Sequence, residues 1–204
     1  MEIIKENKIT KVQLKKIIDL LHSGGTIVYP TDTVYGLGCD ATNAKGIKKI
    51  FLIKQRRETK PLPNICANLA MAKRYAKFSP LALRLAQKYW PGALNLVLPV
   101  KQTGLKLATA RRGKVGLRVP NFGLPQRLAW ILKKPLVSTS ANLSGQVPCY
   151  NTKEVLGQFK NQPHQPDLII DGGKLSRRNQ PSTVAEIKKS LIIILRQGVV
   201  KIKI

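Results

Sequence analysis

Pro135-Leu136-Val137-Ser138-Thr139-Ser140-Ala141-Asn142-Leu143-Ser144-Gly145 is the stretch around which the rest of the chain falls into place. Leu136 and Val137 read as the end of a buried strand. Hydroxyls and an amide follow at once: Ser138, Thr139, Ser140, Asn142 and Ser144. A strand that ends in such a run sets it at the carboxyl edge of a sheet, where open α/β folds bind ligands. These side chains donate hydrogen bonds to anionic oxygens without carrying charge themselves. The same run also fits a plain Ser/Asn turn, so its meaning depends on its surroundings.

Outward from that stretch, helix-like and strand-like patterns are mixed without a strict βαβ period. Residues 10–22 repeat apolar side chains at helical spacing, with Thr10 as a cap and Gly24 after the end. Thr26 to Tyr29 is a β-branched strand closed by Pro30, and Thr31 to Gly38 reads as a polar loop. Asn43 opens a second helix that ends in Lys54-Gln55-Arg56-Arg57-Glu58-Thr59-Lys60-Pro61, where proline forbids continuation. Leu62 to Ala67 reads as strand. Residues 68–76 and 80–90 read as helices, the latter opened by Ser79-Pro80 and broken by Trp90-Pro91-Gly92. Leu94 to Val100 and Val115 to Val119 read as strands on either side of a basic segment, 101–114. Residues 124–133 form a helix before the strand Leu136 to Ser138. Thr152 to Phe159 is a short helix, and Asn161 to Pro166 is linker-like. Leu168 to Asp171, Thr183 to Ile187, Leu191 to Arg196 and Val199 to Ile204 read as strands. The pattern predicts an α/β fold, a single domain over residues 1–204 with a twisted, mixed parallel and antiparallel open sheet flanked by helices.

Composition narrows the chemistry. The 204 residues carry 36 Lys plus Arg against 10 Asp plus Glu, a formal charge of +26, which favours anionic partners. No carboxylate lies between Glu58 and Glu154. A site built from that middle region is expected to be a carboxylate-free, cation-lined pocket. The two histidines, His22 and His164, stand in no triad-like context. Cys39, Cys66 and Cys149 lack metal-ligand spacing and read as small buried residues. Trp90 and Trp130 read as core. The N-terminus has no apolar signal core, and no apolar run is long enough to span a bilayer, so a cytoplasmic protein is expected.

Several clusters admit two readings. Lys54, Arg56 and Lys60 either complement the negative end of a helix dipole or face a cleft beyond the proline-bounded turn. Thr31, Asp32, Thr33 and Tyr35 either make a local turn or hold a small polar substrate. Arg118 and Arg196 either snorkel from strands or fork an anion.

In order and spacing, several motifs together resemble the YrdC/YciO family. They are Pro30-Thr31-Asp32-Thr33-Val34-Tyr35-Gly36-Leu37, Lys54-x-Arg56-x-x-x-Lys60-Pro61, Trp90-Pro91-Gly92, Ser138 to Gly145, Pro181-Ser182-Thr183-Val184 and Leu195-Arg196-x-Gly198. The resemblance covers nearly the whole chain and is strongest to the short bacterial members, which lack the extra C-terminal domain of the long ones. Arg57, Ala93 and Asn95 depart from it, standing where proline, proline and threonine are usual.

The resemblance implies a YrdC-like fold with a basic concave cleft. It also implies an enzyme, a nucleotidyltransferase that makes L-threonylcarbamoyladenylate and pyrophosphate from ATP, bicarbonate and L-threonine. A tRNA threonylcarbamoyl transferase machinery then uses the product. Lys54, Arg56, Ser140 and Asn142 match the family's functional quartet. Arg56, Lys60, Lys114, Ser140, Pro148 and Arg196 are assigned to ATP, and Thr33, Arg118, Ser138 and Ser182 to threonine. Magnesium is expected to travel with the triphosphate rather than in a protein cage. The charge leaves room for direct tRNA or RNA contact, and no membrane partner is expected. Two rival readings are an RNA-binding or ribosome-maturation module and a YciO-type relative with another substrate.

Overall fold

The computed structural model describes residues 1–101, 105, 108–109, 113–121, 123–178, 180–188 and 191–203. The Pro135–Gly145 stretch is the seam of the molecule. Leu136–Val137 (β7) closes one sheet and Thr139–Ser140 (β8) closes another, with Ser138 between them. Among the described residues, the first sheet has six strands in the order Leu191–Arg196 (β11), Thr183–Lys188 (β10), Leu94–Pro99 (β5), Lys114–Arg118 (β6), Asn64–Ile65 (β4) and β7, and the second has five, in the order Glu2–Lys5 (β1), Leu168–Asp171 (β9), Ile27–Tyr29 (β2), Gly36–Gly38 (β3) and β8. Both mix parallel and antiparallel pairs. The α/β class and mixed open architecture are as expected, with the strands divided into two ladders.

Backbone bonds fasten the seam on both sides. The Ser138 N–H donates to the Pro63 carbonyl at 2.9 Å, Val137 to Cys39 at 2.8 Å and Ala141 to Tyr35 at 2.8 Å. Where β3 passes β7, a Cβ on Gly38 would lie 2.3 Å from the Val137 carbonyl oxygen, so only glycine fits.

Among the described residues, six α-helices cover the sheets. In Lys11–His22 (α1), Thr10 and Gln13 form a reciprocal capping box. Leu14, Ile17, Ile18 and Leu21 of α1 bury against Leu124, Leu128 and Leu132 of Gly123–Leu132 (α5), together with Ile27, Tyr29, Leu168 and Ile170. Each such side chain contributes about 1.5–3 kcal/mol. Ala44–Lys54 (α2) is capped by the Asn43 side chain, and its C-cap Gln55 takes φ 50°. With Leu69–Tyr75 (α3), Pro80–Tyr89 (α4) and Thr152–Phe159 (α6), it packs on the larger core, which holds Leu94, Leu96, Leu98, Val115 and Leu117 from the six-stranded sheet.

The structure corrects several expectations. Gly36–Gly38, read as the end of a loop, is strand β3, paired with both β2 and β8. The charged N-terminus contains β1, which runs parallel to β9. Val199 to Lys203 is not a strand. The Thr183 hydroxyl takes over its backbone pairing, donating to Val200 O and accepting from the N–H groups of Gly198 and Val200. Ile204, and Arg111 and Arg112 of the basic segment, lie outside the described residues. Trp130 is 64% exposed rather than core, because α5 turns Leu124, Leu128 and Leu132 inward instead. All three cysteines are free and buried.

Candidate active site

Strand alternation gives β5, β6 and β10 two unlike faces. Leu94, Leu96, Val115, Leu117 and Ala185 point into the core. The intervening residues, Asn95, Val97, Lys114, Gly116, Arg118, Val184 and Glu186, line a cavity of about 520 Å³. Thr31, Thr33, Val34, Tyr35 and Gly36 complete its wall, with Ser138, Thr139 and Ser140 from the seam and Pro148 just beyond it. Arg56, just past the end of α2, and Arg196, at the end of β11, add cations.

Arg118 is fixed from three sides. Its Nε donates to Gly92 O at 2.8 Å, its Nη1 to Ser182 Oγ at 2.6 Å, and its Nη2 to Asp32. A guanidinium has five N–H bonds, so one remains on each terminal nitrogen. Burial lowers the pKa of Arg118, and the Asp32 carboxylate opposes that shift. Arg196 donates through Nε and Nη2 to Ser182 O. Burial, and then the charge of Arg118, lowers its pKa. Two guanidiniums held this close disfavour each other until an anion arrives. Arg56 donates to Pro61 O at 3.0 Å, and its buried Nε has no partner among the described residues.

Of the residues assigned to ATP, Arg56, Lys114, Ser140, Pro148 and Arg196 line this cavity, as do the four assigned to threonine, Thr33, Arg118, Ser138 and Ser182. Lys54, Lys60 and Asn142 do not. Lys54 is 2% exposed, and its ammonium donates to the carbonyls of Ser140 and Asn142 at 2.6 Å each. Desolvation, reinforced by the charge of Arg56, brings its pKa down to about 7, while the two carbonyls favour the protonated form. The extended conformation continues only to Ser140. There the Asn142 N–H turns back onto Ser140 O, and the Asn142 amide donates to Leu143 O and Gln146 O. Lys60 is exposed beyond the helix end.

The expected carboxylate-free pocket is corrected. Glu186 lines the cavity and accepts from Lys114 Nζ at 2.5 Å, and Asp32 grips Arg118. Strand alternation from Val184 was the available signal for Glu186. Asp32 read as a turn residue because its partner lies 86 positions away.

The family model Sua5_yciO_yrdC, described as "Telomere recombination", matches residues 19–198. The chain is 34% identical over 188 residues to the threonylcarbamoyl-AMP synthase of Vibrio vulnificus (strain YJ016), covering 91% of this chain and 98% of the relative. It is equally similar to the synthase of Photobacterium profundum. Among solved structures, it superposes on E. coli YciO with a TM-score of 0.85 and 27% identity, covering 99% of this chain and 97% of the other. P. abyssi Sua5 complexed with L-threonine gives a TM-score of 0.86 at 30% identity, covering 97% of this chain; the chain spans only 57% of that protein. The family-model match over residues 19–198 and the 34% identity across 91% of the chain establish that this chain belongs to the Sua5/YciO/YrdC family.

Proposed function

We propose that the chain is a threonylcarbamoyl-AMP synthase, a nucleotidyltransferase that joins threonine, bicarbonate and the AMP moiety of ATP with release of pyrophosphate. The observation that carries this reading is that two sets of anion-holding side chains share one cavity. Arg118 and Ser182 offer a carboxylate holder, and Arg56, Ser140 and the adjacent Arg196 offer cations and a hydroxyl for phosphates. Similarity to synthases over 91% of the chain supports it.

In this reading Thr33, Arg118, Ser138 and Ser182 hold threonine, with the two remaining N–H bonds of Arg118 on its carboxylate. Arg56, Lys60, Lys114, Ser140 and Arg196 contact the nucleotide and its phosphates beside Pro148. Lys114 exchanges Glu186 for a phosphate oxygen. Lys54 and Asn142 act through the Ser140–Gln146 loop, which they brace from behind. The threonine amine attacks carbon dioxide derived from bicarbonate. The resulting carbamate oxygen attacks the α-phosphorus, and pyrophosphate leaves. The carbamate and ATP are both anionic, so donors and cations fixed in advance lower the repulsion at the moment of attack on phosphorus. Removing one donor of this kind costs about 10²–10³ in kcat. Much of the remaining acceleration is positioning.

Among the described residues no group of three or more His, Cys, Asp or Glu side chains gathers to hold a metal. Magnesium arrives with the triphosphate in this reading, and no protein group is assigned to it. Among the described residues no helix is long and apolar enough to cross a membrane. We take residues 1–204 as one catalytic unit working in the cytoplasm, upstream of a tRNA threonylcarbamoyl transfer machinery. Similarity to the synthases favours this reading over the alternative of a pure RNA-binding module.

The test is pyrophosphate release by purified protein. It is expected only when ATP, threonine and bicarbonate are all present. Release that ignores threonine contradicts the proposal.

A further inference from the structure

β7 and β8 meet in the seam, so among the described residues the outer edges of the two sheets are β1 and β11. An edge strand offers unpaired N–H and C=O groups to another chain, and natural edges are blunted with charge or proline. β1 follows that rule, with Glu2 and Lys5 among its four residues. β11 breaks it. Leu191-Ile192-Ile193-Ile194-Leu195 holds no charged or polar side chain, and Leu191, Ile193, Ile194 and Leu195 are 40–66% exposed. Its strand neighbour is β10 alone. Among the described residues the backbone of 191–195 bonds nothing outside that pair, so the outer side of the ladder is open.

The strand's own sequence identifies what covers it. Leu-Ile-Ile-Ile-Leu reads the same in both directions. Laid antiparallel on a second copy, Ile193 meets Ile193, Ile192 meets Ile194 and Leu191 meets Leu195. Branched apolar side chains then face each other at every position, the self-complementarity that a two-fold interface requires. Charge permits the contact. Arg196, the first cation after the run, is turned inward onto Ser182 O by two hydrogen bonds. Lys188 stands at the other end, opposite Leu191. An acidic partner would find no cation along the strand itself. We propose that two copies of this chain pair through β11, antiparallel about Ile193, and join their six-stranded sheets into one continuous sheet.

The two-fold axis of such a pair stands perpendicular to the sheet, so both copies keep the same face up. Ile193 is in register with Glu186, which lines the cavity. The two cavities therefore open on one side of the joined sheet, with the apolar ridge between them. The register shift between Val184 and Ala185 limits the regular ladder to Leu191–Ile194. The contact is short, and a dissociation constant on the order of micromolar is expected. The inference is independent of the synthase reading.

Sedimentation equilibrium over a range of protein and salt concentrations tests it. The mass is expected to rise with protein concentration from 22.6 kDa towards twice that value. It should do so more readily at high salt, which screens the repulsion between two cationic copies. Ile193→Lys sets two like charges face to face on the axis and is expected to weaken association about a hundredfold, since each substitution counts twice; circular dichroism checks its folding. The three native thiols are buried, so Ile193→Cys reports on the contact by itself. Mild oxidation is expected to link it into a covalent dimer, and to leave Val12→Cys, on the exposed face of α1, unlinked. Wild type that stays at 22.6 kDa up to about 0.5 mM overturns the inference and leaves the edge to a strand of another protein. A dimer that survives Ile193→Lys or loosens as salt rises overturns it too, as does Ile193→Cys that links no faster than Val12→Cys.

Discussion

Arg118 commits three of its five N–H bonds to Gly92, Ser182 and Asp32, so its plane is set before any ligand arrives. Lysine keeps the charge but loses the fork. Arg118→Lys is expected to raise KM for threonine at least about tenfold while moving KM for ATP little; steady-state pyrophosphate release checks both. Equal effects on the two substrates would remove Arg118 from the role of threonine holder. Lys54 makes a different prediction. Its folded pKa of about 7 lies below its ordinary 10.5. Between those values the unfolded chain binds a proton that the folded chain does not, so the contribution of Lys54 to stability rises with pH across that window. The stability of wild type relative to Lys54→Met, from urea melts, is expected to grow by roughly 1 kcal/mol per pH unit above pH 7. A pH-independent difference would mean that the carbonyls of Ser140 and Asn142 keep the ammonium fully charged. The places of Arg118 and Ser138 on the cavity wall were legible from strand ends and motif order. The burial of Lys54 was not, because a lysine in the last turn of a helix looks like an exposed cation, and the carbonyls it serves lie 86 and 88 residues away.

At the scale of elements, the seam β7–Ser138–β8 joins the two sheets and presents Ser138 and Ser140 to the cavity. Its geometry depends on Gly38. Gly38→Ala places a methyl against the Val137 carbonyl, and about 1–3 kcal/mol of stability is expected to be lost, read as a lower urea midpoint with unchanged m-value. A neutral result would show that the seam can spread. The helices were legible because their caps, Thr10, Asn43 and Ser79, and their apolar stripes are local signals. Strands β1 and β3 were not. In β1 only Ile4 is buried, and its partner β9 lies more than 160 residues along the chain. In β3, Gly-Leu-Gly has no β propensity of its own and is chosen for how closely β7 approaches. The tail alternates like an edge strand, yet the Thr183 hydroxyl claims its backbone groups, a long-range competition that alternation does not reveal.

For the whole molecule, the charge of +26 says that anions are welcome, and the fold concentrates part of that charge where it can act. Arg56, Lys114, Arg118 and Arg196 converge on one cavity, while Asp32 and Glu186 hold two of them in place. The central claim is that this cavity builds a mixed anhydride from three substrates. The most direct measurement is mass spectrometry of a reaction supplied with ATP, threonine and ¹³C-bicarbonate. The account predicts threonylcarbamoyl-AMP carrying one ¹³C, formed only when all three substrates are present. A threonyl-AMP without the labelled carbon, or pyrophosphate release with no threonine adduct, would contradict it.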